Sequence, residues 1–139
     1  MRLFSTALLI AALTLVSCTT THVGKPREAP GPVSLICIQK NSRVVIDDIL
    51  DVLDQGFLRN GIETRLFSVS EPEDCSYVLT YTARRSWIGV PFMRYAHLRL
   101  LYEGSVIATA TYTGGLDTNP YASNKDKLDP VIDELVSGL

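Results

Sequence analysis

The sequence has little of what most catalytic and metal sites require. Histidine occurs only at His22 and His97, whereas a hydrolytic triad needs a histidine in contact with a nucleophile and a carboxylate. There is no Gly-x-Ser-x-Gly elbow, no Cys-x-x-Cys pair, no zinc-ligand spacing, and no phosphate-binding or EF-hand loop. We therefore expect a protein that is not an enzyme and holds no metal or dissociable cofactor.

An excess of charge of one sign is also missing. Lysine and arginine number 13 against 15 aspartate and glutamate residues, which gives a formal net charge of −2. No basic run is present, so nucleic acid is not an expected partner. Hydrophobic residues make up 46% of the chain and the mean hydropathy is +0.15, values that argue against a disordered protein.

One long apolar run is present, at the N-terminus. Arg2 precedes an uncharged, largely apolar run over residues 3–16. As a helix this run would span only about 21 Å, short of the roughly 30 Å hydrocarbon core of a bilayer. A secretory signal that is removed is therefore a better interpretation than a lasting transmembrane helix.

The run ends in Leu15-Val16-Ser17-Cys18, which resembles the lipobox of bacterial lipoproteins at each position. The resemblance implies that residues 1–17 are a lipoprotein signal peptide and that Cys18 becomes the mature N-terminus. Its sulfur would carry a diacylglyceryl group and its amino group an acyl chain such as palmitate. At about 0.8 kcal/mol for each buried CH2, two or three such chains anchor a protein almost permanently. The alternative is an ordinary secretory signal that leaves a free thiol at Cys18.

The residue after the cysteine bears on the membrane. Thr19 stands where an aspartate would resemble the inner-membrane retention signal of enteric bacteria. We therefore expect a lipid-anchored outer-membrane protein that faces the periplasm. Residues 18–32 form the lipidated N-terminus and a proline-rich linker, with His22 lacking a second metal ligand nearby.

Residues 33–139 have the length of a single domain, with the predicted order β-α-β-β-β-β-α. Strands are predicted over residues 33–39, 62–69, 75–85, 92–102 and 106–112. Apolar spacing predicts a helix over 44–60, capped by Asn41 or Ser42, with its aspartates in solvent. A final helix carries an apolar side from Leu128 to Val136, and Pro130 must lie in its first turn or kink it.

These patterns predict an α+β fold in which both helices cover one face of a single mixed, largely antiparallel sheet. In the last strand, Val106 is predicted to share the covered face with Ala108, Ala110 and Tyr112. The other face is predicted to expose polar side chains of three strands, namely Thr80, Thr82, Arg84, Tyr95, His97, Arg99, Thr109 and Thr111.

Four short segments resemble the uncharacterised Sbal-type family of small proteobacterial lipoproteins. They are Cys37-Ile38, the run Cys-Ser-Tyr-Val-Leu-Thr-Tyr at 75–81, Arg84-Arg85-Ser86-Trp87, and the run Lys-Leu-Asp-Pro at 127–130. The sequence departs from the family pattern at Ile88 and in the loop over 116–124. The resemblance implies a lipoprotein, and none of the matching segments is catalytic.

Two cysteines remain once Cys18 carries lipid. An even pair in an oxidising periplasm is normally bridged, so we predict a disulfide between Cys37 and Cys75. On the chain-entropy estimate it contributes about 3–4 kcal/mol to stability. The alternative is two buried thiols on separate strands.

Arginine and aromatic residues interleave between Asp74 and Glu103, a stretch without acidic residues. Such interleaving is typical of surfaces that meet anionic lipid, glycan or a partner protein. The candidate surface comprises Arg84, Arg85, Trp87, Arg94, Tyr95, His97 and Arg99. The alternatives without a binding role are that the arginines lie on a solvated sheet face and that Trp87 is a buried residue of its loop.

We thus expect a non-catalytic binding or assembly accessory of the cell envelope that contacts an envelope protein. The alternative is a binder of a small anionic lipid or glycan fragment at Arg84, Arg94 and Arg99. A concave pocket with converging arginines would favour the ligand, and a flat surface would favour the protein. A homo-oligomer remains an open alternative, because a second copy can cover an exposed edge or patch.

Overall fold

Five strands and two helices follow one another in the predicted order β-α-β-β-β-β-α. The computed structural model describes residues 29–115 and 119–139. The elements are β1 (Leu35–Gln39), α1 (Ile49–Arg59), β2 (Glu63–Phe67), β3 (Tyr77–Trp87), β4 (Pro91–Tyr102), β5 (Ser105–Thr113) and α2 (Asn124–Ser137). The α+β class is confirmed. The predicted signal peptide, the lipid site Cys18 and the linker up to residue 28 lie outside the described residues.

The strands form one mixed sheet in the order β2-β1-β3-β4-β5. Strand β1 runs parallel to both β2 and β3, whereas β3, β4 and β5 pair antiparallel. Strand β1 is fully buried at Ile36, Cys37 and Ile38 because both faces of the sheet are covered there. The edges of the sheet are β2 and β5.

Both helices pack on the same face of the sheet, as predicted. Their apolar sides meet alternate residues of the strands, including Leu79, Leu98 and Ala110, in one continuous core. Gly56 of α1 lies directly against Ile132 of α2, where a β-carbon would collide with the isoleucine. The missing side chain therefore allows the two helices to approach closely.

Helix α1 begins later than the sequence pattern predicts. It starts at Ile49 with Asp48 as the N-cap residue, so the predicted start at residue 44 and caps at Asn41 or Ser42 were wrong. Asn41 instead ties the loop to β3: its side-chain amide donates to the carbonyl of Tyr81 (2.9 Å), and its backbone N–H donates to the Tyr81 hydroxyl (3.2 Å). The intervening Val-Val-Ile segment at 44–46 is β-branched, which disfavours helix.

Helix α2 begins after the N-cap residue Ser123 and continues through a proline. The hydroxyl of Ser123 accepts from the backbone N–H of Asp126 (3.0 Å). Pro130 lies in the second turn, which excludes the first-turn alternative that the sequence had left open. Because proline lacks an N–H, the helix forgoes the hydrogen bond that residue 130 would make to the carbonyl of Asp126.

The start of β5 departs from simple alternation. The register shifts between Leu100, which pairs with Ala108, and Leu101, which pairs with Val106. Ile107 is therefore the extra residue of a β-bulge, and it is buried while Val106 is 41% exposed. The prediction that Val106 faces the core was wrong for this reason.

The predicted disulfide between Cys37 and Cys75 is present, with the two Cα atoms 5.9 Å apart. Cys37 alternates with the core residues Ile36 and Ile38, so its side chain lies on the sheet face opposite the helices. The segment containing Cys75 covers that face beside β1, and both cysteines are buried. The face opposite the helices is thus covered at β1 and at Val78 at the start of β3, but not from Thr80 onward along β3 or beside it on β4 and β5.

Candidate interaction surface

Three rungs of side chains cross β3, β4 and β5 on the face opposite the helices. The register aligns Thr80 with Arg99 and Thr109, then Thr82 with His97 and Thr111, then Arg84 with Tyr95 and Thr113. All nine side chains are exposed or half-buried, and we call this surface the open face. The prediction of its members is confirmed, and Thr113 joins them because β5 extends one residue beyond its predicted end.

Two contacts order the middle rung and one end rung of the open face. The Nδ1 atom of His97 lies 2.8 Å from the hydroxyl oxygen of Thr111, and the guanidinium of Arg84 lies 5.9 Å from the centre of the Tyr95 ring. The cation over the ring and the histidine–threonine hydrogen bond restrict these side chains. The face is therefore a fixed pattern of donors, hydroxyls and an aromatic ring.

The positive charge of the open face belongs to its arginines. Partial burial lowers the pKa of His97, and the nearby charge of Arg99 lowers it further. Both causes favour the neutral imidazole, so His97 is uncharged at neutral pH. Arg84 and Arg99 then carry the charge, at opposite ends of the three rungs.

The β3–β4 hairpin extends beyond the rest of the sheet. Its last three pairs, from Arg85–Met93 to Trp87–Pro91, lie past the end of β5 at Thr113. The hairpin tip, which we define as residues 87–90, turns through Gly89 at a φ of +84°. The backbone N–H of Ile88 donates to the carbonyl of Val90 (3.2 Å) and closes the turn.

The hairpin tip is apolar and exposed. Trp87 is 68% exposed, and Ile88 and Val90 are also well exposed. This placement excludes the interpretation of Trp87 as a buried residue of its loop. Adjacent exposed apolar side chains on a protruding element are typical of a contact surface.

The remaining predicted residues are not brought together on the open face. Arg94 is the extra residue where the register shifts beside Arg84, and its carbonyl accepts from the N–H of Gly114 (2.8 Å). Arg85 alternates with Arg84 and lies on the other side of the hairpin. The structure thus places Arg84, Tyr95, His97 and Arg99 together and leaves Arg85, Arg94 and Trp87 on the protruding hairpin.

Beneath the hairpin lies a cavity of about 300 Å³ that the sequence pattern did not indicate. Its apolar part combines the segment before α1 with the hairpin base, and its polar part lies at the starts of both helices and at Arg85 of the hairpin. Asn124 donates from its side-chain amide to Asp48 (2.7 Å), which joins the two helix N-termini. The lining residues of this cavity, named here the Asp47 cavity, are Val45, Ile46, Asp47, Asp48, Arg85, Pro91, Phe92, Met93 and Asn124.

A buried lysine supports the floor of this cavity. The ammonium of Lys127 lies 5.8 Å from the centre of the Phe92 ring and donates to the carbonyl of Pro120 (3.1 Å). Burial lowers its pKa. Lys127 therefore fixes Phe92 and the loop before α2 in place.

The described residues offer binding groups and lack a metal-binding cluster. Within 29–115 and 119–139, no three histidine, cysteine, aspartate or glutamate side chains are placed to hold a metal ion. In the same residues no helix is long and apolar enough to cross a membrane.

The fold is similar to that of a solved bacterial protein. PelC from Paraburkholderia phytofirmans, solved as a dodecamer, is 16% identical with a TM-score of 0.60, over 86% of this chain and 98% of that chain. A dodecameric point variant of PelC is 14% identical with a TM-score of 0.58, over 87% and 97% of the two chains. At this identity the likeness shows a shared fold.

Comparisons of the sequence itself found no relative. No family model matches the chain. No curated protein is similar to it either. The resemblance to the Sbal-type lipoproteins therefore stays a prediction.

Proposed function

We propose that the protein is a lipid-anchored periplasmic protein of the outer membrane that acts as a non-catalytic binding or assembly accessory of the cell envelope. The observation that carries this proposal is the open face, which lies uncovered on three strands and continues into the protruding hairpin. Its partner is an envelope protein. No cofactor is required beyond the lipid on Cys18.

The chemistry of the open face supports a protein partner. Arginine, tyrosine and tryptophan are enriched in the parts of protein interfaces that carry most binding energy. The rungs add threonine hydroxyls and a neutral imidazole, all groups that form hydrogen bonds without a large desolvation cost. The disulfide between Cys37 and Cys75 is suited to the oxidising periplasm.

Geometry favours this partner over a small anionic ligand. Arg84 and Arg99 lie at opposite ends of the rungs. Arg84 pairs with Tyr95 of β4, and Arg99 lies four residues further along the same strand. Four residues along a strand separate them by about 13 Å. They do not converge on one anion, and Arg94 lies on the bulge between the open face and the hairpin tip.

We also propose that the protein self-associates. The similar PelC structures are dodecamers, so this fold is compatible with a closed assembly. An assembly would multiply the weak contacts of each open face. Self-association and binding of an envelope protein are separate parts of the proposal.

In-cell photo-crosslinking tests the partner directly. A photo-reactive amino acid is placed at Thr82, His97 or Thr111 of the full chain, and captured proteins are identified by mass spectrometry. Capture of one defined envelope protein at all three positions is expected. Capture of only lipid or glycan would transfer the function to the anionic-ligand alternative.

Alanine variants then separate the two alternatives. Tyr95→Ala, on the open face, should abolish capture of the envelope protein, whereas Arg84→Ala with Arg99→Ala should weaken it. If the arginine pair abolished all capture while Tyr95→Ala had no effect, the protein-partner proposal would fail. Arg43→Ala, an exposed arginine outside the open face, is the matched control.

A further inference from the structure

The hairpin tip combines exposed apolar side chains with nearby positive charge. Its exposed apolar side chains, Trp87, Ile88 and Val90, stand on a hairpin that also carries Arg85 and Arg94. The whole stretch between Asp74 and Glu103 has no acidic residue. A surface that binds the hairpin tip must therefore combine an apolar recess with negative charge.

The same chain provides such a recess in the Asp47 cavity. Val45, Ile46 and Phe92 supply apolar lining, and the two carboxylates of Asp47 and Asp48 outnumber the one guanidinium, Arg85, that also lines the cavity. Val45 is 59% exposed, so the cavity is accessible from outside. Exposed Asp51 and Asp54 extend the acidic surface along α1.

We propose that the hairpin tip of one copy docks in the Asp47 cavity of a second copy, with Trp87 in the cavity and Arg94 beside Asp47. This inference rests on the proposed self-association and specifies which surfaces of the two copies meet. Complementary patches on different parts of one surface allow copies to associate without any other protein.

The size of the cavity fits a side chain. A volume of about 300 Å³ lies at the lower limit of pockets that take small molecules. One indole ring has a large apolar area to bury, and tryptophans in such recesses dominate many interfaces. The tip and the cavity thus match in size, polarity and charge.

The direction of the strands favours a second copy over the membrane as the binding partner of the hairpin tip. The linker enters the domain at the start of β1, where Cys37 pairs with Val78 near the start of β3. Trp87 lies at the other end of β3, about 30 Å further along the strand. The described chain therefore enters the domain at the end opposite the hairpin tip, which favours an occupant other than the bilayer at Cys18.

The contact is tested in cells with the full chain. A photo-reactive phenylalanine derivative replaces Trp87, which keeps an aromatic group at the tip. The expected product has the mass of two chains and joins position 87 to a peptide containing residues 44–48 of the other copy. The same probe at Leu58, an exposed apolar position at the far end of α1, should give no such product.

Charge reversal shows whether the two patches recognise each other. For this measurement the photo-reactive group is placed at Val45. Arg94→Glu and Asp47→Lys should each lower the yield of the two-chain product at least about threefold, and the double variant should restore it. Trp87→Ala should lower the yield about tenfold or more. All three positions are exposed, and circular dichroism is used to check that each variant is folded.

Two results would overturn the inference. If two-chain products persisted unchanged in Trp87→Ala and Arg94→Glu, the copies would meet elsewhere, and self-association itself would stand. If position 87 crosslinked only to lipid or to another protein, the occupant would be different. Loss of capture from Thr82 on the open face is a separate result and would count against the envelope-protein partner alone.

Discussion

The two faces of the sheet are built from the same strands and differ in what their side chains do. On the covered face, residues such as Leu79, Leu98 and Ala110 are fully buried under the helices. On the open face, their neighbours Thr80, His97 and Thr111 remain accessible. Because a strand alternates its side chains, one segment can stabilise the domain with every second residue and leave the others free to bind. Stability and recognition can therefore be changed separately.

The largest effect on stability is expected on the covered face. Phe57→Ala removes a fully buried ring from α1 and should lower the free energy of unfolding by about 3–5 kcal/mol. The adjacent Leu58 is 60% exposed, and Leu58→Ala should change it by less than about 0.5 kcal/mol. Chemical denaturation of both variants measures the difference. Similar losses would show that α1 does not pack as described.

Removal of the disulfide should have the next largest effect on stability. The disulfide lies where the sheet face opposite the helices is covered beside β1. Replacing both Cys37 and Cys75 with alanine should lower the free energy of unfolding by about 3–4 kcal/mol. A reducing agent should destabilise the native protein and leave the double variant unchanged. Equal sensitivity of both to the reducing agent would contradict a structural role of this bridge.

A smaller effect is expected from the ion pairs that join the helices. The guanidinium of Arg59 contacts Asp129 (2.7 Å) and Asp133 (2.5 Å). Because these side chains are partly exposed, Arg59→Ala should cost less than about 1 kcal/mol at pH 7. Arg65, which pairs with Asp74 in a more exposed position, is the control, and Arg65→Ala should have no measurable effect.

The contribution of these pairs should depend on pH. Hydrogen bonds from Asn60 and Arg59 hold the pKa of Asp133 below its usual value of 3.8. At Asp129, burial raises the pKa, but hydrogen bonds from Arg59 and Lys125 outweigh it and the net pKa is lowered. A carboxylate with a lowered pKa stabilises the fold above its unfolded pKa and loses that contribution as pH falls through the folded value. The difference between native protein and Arg59→Ala should therefore shrink below about pH 4; a difference that grew in acid would contradict this assignment.

The smallest effect on stability is expected on the open face. Thr82→Ala and His97→Ala should each change the free energy of unfolding by no more than about 0.5 kcal/mol. The same variants should reduce capture of the envelope partner. A loss of stability above about 2 kcal/mol in either variant would show that the open face is part of the core.

The sequence was sufficient for the parts of the fold that follow one period. Strict alternation in β3 and β4 fixed the open face, because Thr80, Thr82 and Arg84 leave no ambiguity about which side is polar. The pattern failed where a bulge adds a residue. At Ile107 the period of two is interrupted, and neighbouring side chains exchange faces.

Tertiary contacts explain the other features that the sequence patterns did not predict. The apolar spacing before α1 imitates a helix, but Asn41 binds Tyr81 of β3 and directs residues 44–46 along the edge of the core. This non-helical segment lines the Asp47 cavity with Val45, Ile46 and Asp47. Such a contact, forty residues apart in the chain, has no signature in local spacing.

The division between the two faces is tested most directly by comparing capture from two exposed positions in cells. One photo-reactive amino acid is placed at Thr82 on the open face and another at Gln55 on the outer side of α1. If the open face is the binding surface, Thr82 captures one defined envelope protein and Gln55 captures none. Equal capture from both positions, or capture from Gln55 alone, would contradict it.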